Sequence, residues 1–199
     1  MKVDIYNTRD KYDIIYADPP WSYNDSGCQG AAAKQYNTMT QEELYKLPVQ
    51  NICNKDAVLF MWVTYPKLQE AFDLIKAWGF TYKSIGFQWV KLNKKASNLQ
   101  LLQKITEGAP IEEAIFSQCF YGLGRWTRGN TEMCVIATKG KVSRINAAVP
   151  QLVFSSIGRH SSKPAEVRKR IVQLVGDKPR IELFAREHAD GWDCWGNEV

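Results

Sequence analysis

Residues 12–17 (YDIIYA) are apolar at nearly every position, and so are residues 57–63 (AVLFMWV). Unbroken apolar runs of this length predict strands covered on both faces, as in a sheet flanked by helices. Residues 84–91, carrying Phe87 and Trp89, predict a third strand, 133–138 a fourth, 152–154 a short fifth and 180–185 (RIELFA) the last, followed by an aromatic-rich tail. Between them Leu68, Phe72 and Ile75 recur on one helical face after Pro66 and stop at Gly79. Val167, Ile171, Leu174 and Val175 do the same after Pro164 and stop at Gly176. Thr40-Gln41-Glu42-Glu43 predicts a capping box that opens a short helix before Pro48. Strands alternate with helices, so the expected class is α/β in one domain over 1–199. Residues 94–119 break the alternation with two short helical patterns, 99–106 and 111–116, split by Gly108 and Pro110. They predict an insertion, either a flap over substrate or plain packing. The long polar stretch 22–38 predicts a lid or binding loop.

The most telling chemistry follows the first strand directly: Asp18, Pro19, Pro20 and Trp21. Ligands of open α/β sheets bind beyond the carboxyl ends of the strands, and Asp18 is placed there. Two prolines fix φ and donate no hydrogen bonds, which leaves the carbonyls of Asp18 and Pro19 to face a ligand. Trp21 offers a flat stacking surface. An acid beside such carbonyls suits methylation of the exocyclic amine of a nucleobase. Acceptors for both amine hydrogens draw the nitrogen lone pair out of the ring, with Asp18 as acceptor or base. The competing reading of the same four residues is a rigid turn after a strand.

Composition narrows the class without deciding it. The chain has 199 residues, 45% hydrophobic and 24% charged, with 26 Lys and Arg against 21 Asp and Glu for a net charge of +5. That balance weakly favours a polyanionic partner. Five cysteines, with no C-x-x-C pair, argue against a disulfide framework and a zinc site. No apolar run reaches membrane-spanning length and none resembles a leader, so a cytoplasmic protein is expected. No metal is required.

Taken together, YDIIYADPPW (12–21), AVLFMWVT (57–64), AWGF (77–80), WVKLNKK (89–95), RGNTEMCVIATKGK (128–141), HSSKPAEVRKRI (160–171) and RIELFAREHADGWDCWGNE (180–198) resemble, in order and spacing, the MT-A70 family of S-adenosylmethionine-dependent adenine methyltransferases, in its short bacterial and phage form. The resemblance implies a Rossmann-like class I methyltransferase fold in circularly permuted order, the catalytic motif early and the cofactor strand late. No G-x-G-x-x-G follows the first strand, in keeping with that order. By the same resemblance Asp18, Pro19, Pro20 and Trp21 hold the target adenine, and Asp18 also borders the cofactor. Leu183, on the late strand, and Lys163, with Ser161 beside it, would lie near S-adenosylmethionine, the lysine close to its carboxylate. Arg186, His188, Asn197 and Glu198 would line its ribose and adenine, with Asp4 and Ile5 against the adenine. A surface histidine is the other reading of His188, and His160 is read as a turn residue.

Strand contacts to a nucleic acid should be basic and aromatic. Lys91, Lys94 and Lys95 form one such cluster, and Arg125, Trp126 and Arg128, between glycines, form another. The second is equally a solvated hairpin. DNA is the expected substrate and RNA the alternative. Also weighed are a catalytically silent partner subunit, which an intact Asp18 and Trp21 disfavour, and methylation of a small-molecule or protein amine. A monomer or homodimer is expected, with no obligatory partner subunit.

Overall fold

The computed structural model describes residues 1–22, 38–122, 124, 126–159 and 162–199. Seven strands form one mixed sheet: β1 (Tyr12–Ala17), β2 (Cys53–Val63), β3 (Thr81–Leu92), β4 (Thr131–Lys139), β5 (Leu152–Ser156), β6 (Arg180–Leu183) and β7 (Asp193–Trp195). Their order across the sheet is β5-β3-β4-β2-β1-β6-β7. Pairing is parallel except where β4 lies between β2 and β3, antiparallel to both. The helices are α1 (Gln41–Tyr45), α2 (Leu68–Ala77), α3 (Asn98–Thr106), α4 (Ile111–Gln118) and α5 (Ala165–Val175).

The apolar runs become central strands because both of their faces are covered. Ala57, Leu59, Met61 and Val63 of β2 pack with α1 and α2 residues such as Leu44, Leu74 and Ile75. Val58, Phe60 and Trp62 face the other way, toward Val167, Ile171 and Val175 of α5. Trp62 is almost fully buried, and its indole N–H donates to the Tyr16 hydroxyl at 2.6 Å. Burial of one such side chain contributes on the order of 5 kcal/mol, an upper value. Thr40 caps α1 through its hydroxyl, and the Glu43 carboxylate accepts from the Thr40 N–H at 2.7 Å, completing the capping box. Arg168 of α5 grips Glu182 of β6 with two hydrogen bonds of 2.6 and 3.0 Å, which fixes that helix over the strand.

Two departures from the sequence reading matter for the site. Strand β6 ends at Leu183, because Phe184 takes a left-handed φ of 62°. The tail then folds back and returns as β7, held parallel to β6, while residues at the start of the chain dock on it: Val3 N–H donates to the Cys194 carbonyl at 2.9 Å. Among the described residues no helix is long and apolar enough to cross a membrane. The 22–38 loop lies outside the described residues save for its ends.

Candidate active site

Neighbouring parallel strands β1 and β6 part company at their carboxyl ends. The chain leaving β1 goes toward β2, and the chain leaving β6 goes toward β7 on the opposite side. Such a switch point opens a crevice at the strand ends. Asp18 enters it from β1, and Phe184 and Arg186 enter from β6. A cleft of about 320 Å³ lies there, walled by Asp18, Pro20, Phe184, Arg186, Trp195 and Glu198 among others. A second hollow of about 530 Å³ continues it past Lys163, Arg159 and Arg168, sharing Asp18, Phe184, Arg186 and Glu198.

The electrostatic centre is a chain of four alternating charges drawn from four separate segments. Lys163, just ahead of α5, donates to Asp18 Oδ2 at 2.8 Å and lies 3.4 Å from Glu132 Oε2. Lys91 of β3 holds the other oxygen of Glu132 at 2.5 Å. All four side chains keep less than a quarter of their surface. Burial pushes Asp18 above the usual aspartate range, and Lys163 counteracts this only in part. Burial would raise Glu132 as well, but Lys163 and Lys91 outweigh it and hold that carboxyl below its ordinary value. Burial acts to discharge Lys163, yet its two carboxylate neighbours overcome it and keep the ammonium charged. The ammonium also lies over the Trp62 ring, 5.7 Å from its centroid.

Backbone geometry shapes the cleft wall. A left-handed φ in a phenylalanine is a genuine outlier of the kind found at ligand sites. It turns the chain sharply after β6 and sets the Phe184 ring edge-on to Trp195, with centroids 5.4 Å apart. Gly196 follows Trp195 at a close crossing, where a Cβ would stand 2.2 Å from the Ala185 carbonyl oxygen. Asn197 and Glu198 thereby reach the cleft mouth, where Glu198 lies 3.6 Å from Arg186.

A scan against protein-family models matches MT-A70 over residues 12–198. The chain belongs to the MT-A70 family. It is similar to the Type II methyltransferase M.MunI of a Mycoplasma species, with 32% identity over 96% of this chain and 79% of that protein. It is also similar to the N(6)-adenosine-methyltransferase subunit METTL3 of Danio rerio, at 27% identity over 95% of this chain but 28% of that protein. The human N(6)-adenine-specific methyltransferase METTL4 is 25% identical over 98% of this chain and 39% of its own length. The chain thus spans most of the Mycoplasma relative and well under half of these two vertebrate proteins.

Within this MT-A70 chain the structure gathers Asp18, Pro20, Lys163, Arg186, Asn197 and Glu198 around one crevice. Asp4 and Ile5 sit just past the carboxyl end of β7: Asp4 accepts from the Tyr6 N–H at 3.0 Å, Ile5 is in the core, and the Tyr6 ring meets Trp195 edge-on. Leu183 is in the core, and the crevice is lined by Phe184, Ala185 and Arg186 after it rather than by Leu183 itself. His188 is placed elsewhere. The returning tail carries it to a hollow shared with Tyr12 and Arg180 at the opposite end of the sheet, its Nδ1 3.2 Å from Cys194 Sγ. Trp21 is a core anchor rather than an open platform, 6% exposed, with its N–H donating to the Trp62 carbonyl at 3.3 Å. The Pro19 carbonyl accepts the Trp21 N–H at 2.8 Å, closing a tight turn, and the Pro20 carbonyl accepts the Met39 N–H at 2.9 Å in a bridge to a later segment, so both carbonyls are engaged within the chain. Lys91 is committed to Glu132 rather than to the surface.

Lys94, Lys95, Trp126 and Arg128 remain exposed, Trp126 at 98%. Ser161, Arg125 and His160 lie outside the described residues. Sequence reasoning missed Glu132, Trp62, Phe184, Trp195 and Gly196. The available signal for Glu132 was a lone acid opening an otherwise apolar strand.

Proposed function

We propose that this chain transfers a methyl group from S-adenosylmethionine to the N6 amine of adenine in DNA. The observation that carries the reading is Asp18 at the β1–β6 switch crevice, held by Lys163 beside a cleft with aromatic and carboxylate walls. Every relative described above is a methyltransferase by name, and M.MunI, the one of similar length, is named as a Type II enzyme. This favours DNA. Several relatives are named for adenosine methylation, which makes RNA the second reading.

The cleft residues suit S-adenosylmethionine. Phe184 and Trp195 offer aromatic walls for its adenine, and Asn197 and Glu198 offer acceptors for its ribose hydroxyls. When bound it supplies an electrophilic methyl group. With Oδ2 held by Lys163, Asp18 presents Oδ1 to accept a hydrogen of the target amine, which draws the nitrogen lone pair out of conjugation. The nitrogen turns cationic as it gains the methyl, and its proton is then strongly acidic. Asp18 therefore need not be a strong base. Its carboxylate stabilises the growing charge and accepts that proton. The Lys91–Glu132–Lys163 chain keeps the carboxylate in place before substrate arrives.

In this reading the fold is Rossmann-like and circularly permuted, with the late strands β6 and β7 as the cofactor half and the early strands β1 and β2 as the acceptor half. One unit over 1–199 is supported by a sheet that joins both ends of the chain, Lys2 bridging to Cys194. Lys94 and Lys95 follow β3, Trp126 and Arg128 precede the antiparallel β4, and Lys163 follows β5. All therefore lie along the sheet edge that carries Asp18. That edge suits a nucleic-acid strand, with lysines and arginine on phosphates and Trp126 on a base. A cytoplasmic setting accords with the Mycoplasma relative. Transfer of labelled methyl to duplex DNA, single-stranded DNA and RNA tests the reading. N6-methyladenine in DNA supports it, label in RNA alone transfers it to the second reading, and label in no polymer refutes both.

A further inference from the structure

Residues two apart on a strand share one face of its sheet. Just past β1, near the end of β3 and at the start of β4, the residues of the charge chain are Asp18, Lys91 and Glu132. Two residues further into the sheet stand Tyr16, Trp89 and Cys134, and Trp62 of β2, paired with Cys134, completes this lower row. All four are 4% exposed or less. Both cations of the charge chain rest on indoles of the row. Lys91 Nζ lies 5.2 Å from the Trp89 centroid, as Lys163 lies over Trp62, and the two indoles meet edge to face with centroids 6.3 Å apart. Each ring is pinned by its N–H: Trp62 donates to the Tyr16 hydroxyl at 2.6 Å, and Trp89 donates to the Ser155 carbonyl at 2.9 Å.

Packing alone does not account for the Tyr16 hydroxyl. Phenylalanine would fill the same apolar space, and a buried hydroxyl costs stability unless it is hydrogen-bonded. Burial holds this hydroxyl well above the usual tyrosine range, so it keeps its proton and serves the indole as a neutral acceptor. What the bond fixes is the orientation of the Trp62 ring. An indole attracts an ammonium over its face and repels it at its edge. Lys163 stands between two carboxylates, 2.8 Å from Asp18 and 3.4 Å from Glu132, and a ring held face-on settles where between them the ammonium sits. We propose that the pinned aromatic row positions the charge chain: Tyr16 orients Trp62 under Lys163, and the Ser155 carbonyl orients Trp89 under Lys91, so that the two ammonium groups meet Asp18 and Glu132 at fixed places. Tyr16 and Trp89 are thus positioning residues. Their meaning for methyl transfer rests on the function proposed above, whereas the placement itself does not.

Carbon NMR of the full chain carrying labelled aspartate and glutamate follows the two carboxyls directly and needs no activity. Asp18 is faced by Lys163 ahead of α5, Glu132 and Cys134 of β4, Glu182 of β6 and Arg186 after it, and Tyr16→Phe changes none of these. Lys163 is the largest influence drawing Asp18 down. Loosening it in Tyr16→Phe should raise the Asp18 midpoint by about 0.5 or more, roughly a threefold change in the proton equilibrium. Tyr12→Phe removes a hydroxyl at the far end of the same strand, bonded to Asp193 at 2.9 Å, and should leave that midpoint unchanged. Trp89→Phe tests the other half: Lys91 helps hold Glu132 down, so Glu132 should titrate higher. In methyl transfer Tyr16→Phe should be slowed most at low pH and approach the wild-type rate at high pH, a dependence that lost stability alone does not produce. An unmoved Asp18 in Tyr16→Phe overturns the proposal, as does an equal rise in Tyr12→Phe, which reflects general loosening of β1. If Tyr16→Phe does not fold, an unmoved Glu132 in Trp89→Phe overturns it. Midpoints that move as expected in a chain that methylates no polymer uphold the positioning and remove the function proposed above.

Discussion

Replacing Lys163 with methionine keeps nearly the length of the side chain and removes a cation that Asp18 and Glu132 share. Breaking a buried ion pair from one side costs about 3–5 kcal/mol. The lysine, aspartate and glutamate side chains retain 12%, 23% and 17% exposure, so some solvent screening remains and about 2–3 kcal/mol is the better expectation. The loss should depend on pH. In the wild type burial already raises Asp18, and Lys163 is the largest influence opposing it. Without the lysine Asp18 rises further, and Glu132 loses an influence that lowers it. A carboxyl whose folded pKa exceeds its unfolded value is stabilised by protonation. The penalty is therefore greatest at high pH and relaxes as pH falls through the raised folded value. Urea unfolding at pH 8 and pH 5 should show a destabilisation larger by at least ~1 kcal/mol at pH 8, about the value of one pKa unit. Asp18→Asn in the Lys163→Met background should recover part of the stability at pH 8, as neighbours that share a network do not add. Equal penalties at the two pH values, or a total below about 0.5 kcal/mol, would refute the buried charge chain.

Asp18→Asn alone should lower methyl transfer by ~10²-fold or more while leaving cofactor affinity nearly intact, measured by single-turnover kinetics and equilibrium binding. In the wild type the acid limb of the rate profile should lie above the ordinary aspartate value, because the raised Asp18 must be ionised to accept a proton. Trp126→Ala should weaken binding to single-stranded DNA about 5- to 100-fold, the worth of one stacked base, with no change in melting temperature, since the ring is fully exposed. Gly196→Ala should reduce cofactor affinity and thermal stability together, because its Cβ would meet the Ala185 carbonyl oxygen at 2.2 Å; calorimetry of both would show it, and an unaffected variant would mean that this crossing relaxes freely.

For the first apolar run sequence and structure agree to the residue: β1 runs from Tyr12 to Ala17 because both faces are covered. Strand β2 starts earlier than its apolar run, at Cys53, which pairs with Tyr12; the register then slips across Asn54, Lys55 and Asp56, whose side chains stay outside the core, and resumes at Ala57 and Val58. Phe184 misleads a local reading, because an aromatic residue favours extended backbone and here takes a left-handed turn. Strand β7 is only three residues long and exists through its pairing with β6, a contact that spacing along the chain does not announce. The same fold-back explains His188: proximity in sequence to Arg186 suggested proximity in space, and the chain reverses between them. The charge chain was half legible. Asp18 and Lys163 stand in recognisable surroundings, whereas Lys91 looked like surface basicity until Glu132 was placed opposite it.

Strands β3 and β4 are antiparallel neighbours, so residues 93–130 leave the sheet and rejoin it at adjacent points of the same edge. The α3–α4 pair and the Trp126 arm both belong to that excursion, while Asp18, Lys163 and the walls of the cleft all lie outside it. The segment is in effect a removable cassette on a fixed chemical engine. Exchanging it between relatives, with its two anchor points preserved, would show whether target preference travels with it while the chemistry stays behind. Lineages could then diversify what they mark without rebuilding how they mark it.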